Sequence, residues 1–119
     1  MVYRKAFELA MEIFEASRTF PKEEKYSLTD QIRRSSRSVC ANLAEAYRKK
    51  RYPANFILKL CECDAENSET GVWLDFAHAS HYMESSAHSR LILKNEEVGK
   101  LLNHITNRQY ANRQQAICK

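Results

Sequence analysis

Glycine and proline are almost absent from this chain, with two of each in 119 residues. So few turn-formers exclude a fold of many short strands, and leave helices joined by short loops. Long apolar runs are missing as well. No stretch approaches the roughly 20 apolar residues of a membrane-spanning helix. The opening "MVYRKAFELAMEIF" mixes charged and apolar residues where a signal peptide would carry a continuous apolar core. A cytoplasmic, reduced protein is therefore expected, with no membrane association. Of its four cysteines (40, 61, 63 and 118), Cys40 and Cys63 should serve as small core residues.

The constellations of catalysis are missing too. There is no glycine-rich phosphate loop, and no serine or cysteine has the neighbours of an activated nucleophile. Glu62, Glu66 and Glu69 form a carboxylate stripe, but a two-iron bundle would need histidine at 65, 69 or 72. Cys61 and Cys63 on a helix point roughly 200° apart, so they cannot share a zinc ion. His78 and His81 stand near a helix end, where capping explains them better than chemistry. The expectation is no enzyme, no metal and no cofactor.

What is present is an ordinary globular balance, 44% hydrophobic and 29% charged, in one expected domain over residues 1–119. Hydrophobic spacing predicts four helices, at about 2–20, 28–51, 53–80 and 85–112. In the first, Tyr3, Ala6, Phe7, Ala10, Ile13, Phe14 and Ser17 form one stripe. Pro21 should stop that helix near Phe20. Leu28, Ile32, Val39, Leu43 and Ala46 give the second its core side, with Ser35 and Ser36 filling gaps. The third has the strictest period: Phe56, Leu60, Cys63, Asn67, Thr70, Leu74 and Ala77 make a heptad seam. Asn67 and Thr70 on that seam need buried partners, and Asn67 is a candidate for fixing register. Leu91, Val98, Leu101, Leu102 and Ile105 line the fourth, whose polar tail "NRQYANRQQAICK" is expected to fray. Short connections make this an all-α, antiparallel, up-down four-helix bundle.

Charge is unevenly distributed. From Arg33 to Arg51 there are seven basic residues and a single acid, Glu45. From Cys61 to Glu84 there are six acids and no lysine or arginine. On a helical wheel Arg33, Arg37, Arg48 and Arg51 fall within about 60°, forming a ridge roughly 27 Å long. Arg34 and Lys49 flank it. Guanidinium forks suit phosphate, so the ridge could follow an RNA or DNA backbone without reading bases. No aromatic platform is expected among the arginines, so base stacking is not indicated. The competing reading is a structural or protein-interaction module, in which basic helix two pairs with acidic helix three of a neighbour. Asn42 and Glu45 flank the core side of helix two and are read as buried hydrogen-bonding residues at the helix interface.

The stretch "FPKEEKYSLTDQIRRSSRSVCANLAEAYRKKRYPANFILKL" and the "SET" at 68–70 resemble the bacterial four-helix-bundle proteins encoded within intervening sequences of large-subunit rRNA genes. Relatives of that family include the accessory proteins of diversity-generating retroelements. The resemblance runs from about Tyr3 to Ile105. It implies a left-handed bundle assembling as a homopentamer, with no enzymatic activity. It also implies nucleic-acid binding through basic surface at Arg33, Arg34, Arg48, Lys49 and Arg51, with a protein partner adding specificity. "NLAE" places Asn42 and Glu45 at motif positions. Cys40 stands where that family has proline and Ala46 where it has glycine, which should straighten helix two. Asn67 replaces the first glutamate of the usual "ELET", leaving Glu69 alone.

Overall fold

The computed structural model describes the backbone of residues 1–118 and the side chains of residues 1–112. Four helices make up the fold: α1 (Val2–Ser17), α2 (Leu28–Arg48), α3 (Pro53–Ala79) and α4 (Ser85–Cys118). A 3₁₀ turn at Lys22–Glu24 separates α1 from α2, and no strand occurs among the described residues. The fold is an all-α four-helix bundle measuring 56 × 24 × 19 Å.

Cross-contacts give the direction of each neighbour. Ser17 meets Arg33, Val39 meets Cys63, Asn67 meets Asn95, and Lys5 meets Glu97. Further along the same seams Phe14 meets Arg37, Ser35 meets Thr70, Asp75 meets His88, and Glu12 meets Arg90. In every seam rising numbers on one helix meet falling numbers on the next, so neighbours run antiparallel. α1 and α3 lie diagonally opposite each other, as do α2 and α4. No described helix is long and apolar enough to cross a membrane.

The core follows the predicted periods closely on α2 and α3. Leu28, Ile32, Val39, Leu43 and Ala46 are buried, with Ser35 and Ser36 beside them. All seven heptad-seam residues of α3, Phe56 to Ala77, are buried. Thr70 donates to a carbonyl of its own helix, that of Glu66 at 2.9 Å, and reaches the Ser35 hydroxyl at 2.8 Å. α2 passes unbroken through Cys40 and Ala46. Burial pushes the Cys63 thiol up to about 12, so it stays protonated, close enough to donate to the Val39 carbonyl at 3.7 Å. Cys61, on the other side of the helix, is exposed.

On α1 the expected stripe is corrected. The buried residues are Val2, Ala6, Leu9, Ala10, Ile13 and Ser17, while Tyr3 and Phe7 are 45% and 50% exposed. Two stripes share the helical period here, one aliphatic and one aromatic, about 100° apart on the wheel. The bundle buries the aliphatic one, and Phe14 is half-buried under arginines of α2.

Helix ends also differ from expectation. α1 stops at Ser17 because Phe20 turns inward, buried against Tyr82 with ring centroids 5.7 Å apart. α3 closes through a Schellman pattern: the Tyr82 amide donates to Ala77 and the His81 amide to His78. His81 occupies the left-handed position, φ 63°, that glycine usually takes. His78, by contrast, reaches across to the Ser85 hydroxyl at 3.1 Å and stacks on His88 at 4.3 Å. α4 continues to Cys118 without the expected end near residue 112, since neither glycine nor proline follows Gly99.

Candidate nucleic-acid interface

The site is set by where α2 ends. Pro53 disfavours a helical conformation for the residue before it, and Tyr52 is extended at φ −117°, ψ 86°. Lys49 is therefore the C-cap, its amide bonded to the Ala46 carbonyl at 2.9 Å. The Tyr52 amide then closes the turn on the Lys49 carbonyl at 2.8 Å. Arg51 consequently leaves the helix and cannot extend a ridge along it. α2 ends at Arg48, three residues short of the expected end at 51.

Arg33, expected on the exposed ridge, is engaged within the bundle. Its Nε donates to the Ser17 hydroxyl at 2.8 Å, and its guanidinium lies 4.7 Å from the centre of the Phe14 ring. It is half-buried and fastens α2 to α1. Arg37 is exposed over the same ring at 5.6 Å. Arg34 points away to solvent and faces Asp30, one turn earlier, at 3.8 Å. Between Arg37 and Arg48 the flank is low, made of Cys40, Ala41 and Ala44, a gap of about 16 Å along the axis. The ridge is thus two separate groups.

The group at the end of the bundle is the denser. Arg48, Lys49, Lys50 and Arg51 follow one another around the turn, all exposed, and none is in an ion pair with a described residue. Arg48, Lys50 and Arg51 line one concavity with Tyr47. Arg48 and Lys49 line another with Tyr52, Asn55 and Glu45. Arg108 of α4 joins Tyr47 and Lys50 in a third. The structure therefore brings together Arg48, Lys49 and Arg51 of the predicted set, and leaves Arg33, Arg34 and Arg37 elsewhere.

Lys50, Tyr47, Tyr52 and Arg108 were missed from sequence. The first three were legible in "YRKKRY", where tyrosines bracket four cations. The expectation that no aromatic stands among the arginines does not hold: Tyr47 is 44% and Tyr52 63% exposed.

Of the remaining predicted polar residues, Glu45, Asn67 and Glu69 make side-chain bonds within the bundle. Glu45 is exposed, not buried, and receives the Lys59 ammonium at 2.7 Å. That bond, followed by the Lys59 charge, holds its carboxyl below the usual range. Lys59 also reaches Glu62 at 3.0 Å, so the α2–α3 ion pair within the chain has its acid on α2 and its base on α3. Asn42 is half-buried. Asn67 is buried and bonded to Asn95 of α4. Glu69 accepts from the Trp73 indole at 3.2 Å, and burial followed by the Glu69 charge raises the neighbouring Glu66 carboxyl.

A second surface lies on the outside of α3. Leu58, Ala65, Val72 and Ala79 recur every seven residues and are all exposed, with Phe76 beside them. This seam is about 170° from the buried one. Glu62, Glu66, Glu69, Asp64 and Asp75 border it.

The chain's residues 1–104 match the 23S rRNA-intervening sequence protein family. A crystal structure from Bacteroides thetaiotaomicron VPI-5482, described as a protein with unknown function from the S23 ribosomal protein family, is 30% identical, with a TM-score of 0.81 over 89% of this chain and 98% of that one. Among curated proteins, none matches. With a family match over most of its length and a similar bundle among solved structures, the chain belongs to the 23S rRNA-intervening sequence protein family.

Proposed function

We propose that this protein is a non-enzymatic bundle that binds nucleic-acid phosphates through the basic end formed by Arg48, Lys49, Lys50 and Arg51. One observation carries the reading: four consecutive exposed cations where α2 ends, none in an ion pair with a described carboxylate, the acid beside Arg48 and Lys49 (Glu45) being bonded to Lys59 instead. Cations held close together repel, and an anionic polymer relieves that repulsion while releasing its own counterions. Binding of this kind tolerates sequence. Titrating fluorescence anisotropy of a labelled RNA and a labelled duplex DNA against salt tests it. Affinity should fall steeply with salt, and a flat response, or no binding at low salt, rejects the reading.

A second reading, self-association, is favoured by the exposed heptad seam of α3. Its apolar residues have acids beside them, whereas the exposed Tyr3, Phe7 and Met11 of α1 lie on the flank of α1 that meets Arg33 and Arg37. The two faces are complementary in charge and differ from each other, so copies joined this way would close a ring or extend a filament. A homopentamer, as the family resemblance implies, would set five basic ends in one assembly and raise avidity. The two readings are compatible. Sedimentation or light scattering at micromolar concentration separates an assembly from a monomer.

A further inference from the structure

We propose that the recess between α2, α3 and α4 at the basic end receives an unpaired nucleobase, which makes single-stranded segments the preferred ligand. This rests on the nucleic-acid reading above and adds the class of substrate. The recess holds about 180 Å³ and is lined by Tyr47, Lys50, Phe56, Ile105, Arg108 and Gln109. Phe56 is 1% exposed and Ile105 half-buried, so the floor is apolar and fixed by the core. Tyr47 forms a wall. Its ring packs on Phe56, centroids 6.0 Å apart and planes tilted by 46°, while 44% of the residue stays open to solvent.

The rim has the opposite character. Lys50 and Arg108 are cationic, Gln109 offers an amide with both donor and acceptor, and among the described residues no carboxylate lines the space. Lys50 and Tyr47 are shared with the adjoining concavity that contains Arg48 and Arg51. A recess with an apolar floor, an aromatic wall and a cationic rim matches the two halves of a nucleotide. The base enters the slot and stacks on Tyr47, while the phosphates before and after it lie against Lys50, Arg51 and Arg108. A duplex keeps its base faces in its own stack and would engage the cations alone. An acidic peptide would likewise leave the slot empty. The amide of Gln109 can serve any base edge, so little base preference is expected.

The test uses an unstructured DNA strand carrying one 2-aminopurine, and the same strand annealed to its complement, at matched salt. Binding should quench the single strand's fluorescence through stacking, and anisotropy should show the strand bound more tightly than the duplex. Tyr47→Leu should weaken the single strand by about fivefold or more and leave the duplex within about twofold. Tyr47→Phe should restore the wild-type preference. Equal binding of both forms without quenching, or a Tyr47→Leu loss common to both, overturns the base slot and leaves the phosphate reading standing. Failure of the wild type to bind either form overturns both. The wild-type quenching decides the question even if Tyr47→Leu fails to fold.

Discussion

Asn67 and Asn95 clasp each other across the α3–α4 seam. The Asn67 amide donates to the Asn95 carbonyl at 3.0 Å, and the Asn95 amide donates to the carbonyl and side-chain oxygen of Asn67 at 2.9 and 3.0 Å. Both residues are buried. The only two glycines of the chain stand one turn beyond them, each against the opposite asparagine. A Cβ on Gly71 would lie 2.8 Å from Asn95 Oδ1, and one on Gly99 would lie 3.2 Å from Asn67 Nδ2. Polar side chains are accommodated here because the residue opposite each of them has no Cβ.

That pairing predicts an inverted glycine effect. A helix-interior glycine replaced by alanine normally gains about 0.5–1 kcal/mol. Gly71→Ala should instead cost about 1–3 kcal/mol, because Asn95 is held by its own bonds and cannot give way freely. In an Asn95→Ala background, already weakened by the missing clasp, the same change should become neutral or favourable. Urea unfolding of the four proteins in the cycle measures the coupling. Additive effects would show that the glycine and the asparagine act independently.

Acid should loosen the opposite end of the bundle. Glu24 accepts from the Ser27 hydroxyl at 2.5 Å, the Tyr82 hydroxyl at 2.9 Å and the Leu28 amide at 3.4 Å, at the start of α2. Those bonds, from Ser27 first and Tyr82 next, hold its carboxyl below the ordinary value. The folded carboxyl titrates below the unfolded one, so its contribution is complete above about pH 4.3 and disappears as pH falls through the depressed value. Thermal melts of wild type and Glu24→Gln should therefore differ at pH 7 and converge toward pH 3. A constant gap across that range would mean the ionised carboxylate is not what matters.

His81 keeps a conformation that disfavours side chains. Relieving it with His81→Gly should raise stability by up to about 1 kcal/mol, the left-handed penalty less the extra entropy glycine loses on folding. A melting temperature that fell would assign the imidazole a contact worth more than the strain.

The outer seam of α3 predicts assembly. Val72 is 49% exposed, so Val72→Glu should leave a monomer's stability and helical content unchanged. Buried among the apolar residues of an assembled seam, the new carboxylate would lose its hydration and should lower the assembled mass seen by light scattering. An unchanged mass, or a monomeric wild type, removes self-association through this face.

The legible parts of the fold were those where period and burial coincide. The seam from Phe56 to Ala77 could be read directly, because its seven positions share one face and all are buried. Asn67 was seen to need a partner, but Asn95 could not be named, since nothing local distinguishes it from the exposed polar residues of α4. On α1, Tyr3 and Phe7 obey the same period as Val2 and Leu9, and periodicity cannot say which stripe the other helices cover. At the site, the wheel carried Arg51 along a helix that ends at Arg48, although Pro53 was there to signal the break. Arg33 looked free because Ser17 and Phe14, which hold it, are 16 and 19 residues away.

The contrast between Arg33 and the turn cations also gives the most direct measurement: the dependence of log affinity on log salt for two variants, on one structured RNA. Replacing Arg48, Lys49, Lys50 and Arg51 with glutamine should flatten the slope by about 3, at roughly 0.7–0.9 for each phosphate left unneutralised. Arg33→Gln should lower the melting temperature and leave the slope as in wild type. A slope unchanged by the fourfold variant, or flattened by Arg33→Gln alone, would contradict the assignment of the basic end as the nucleic-acid interface.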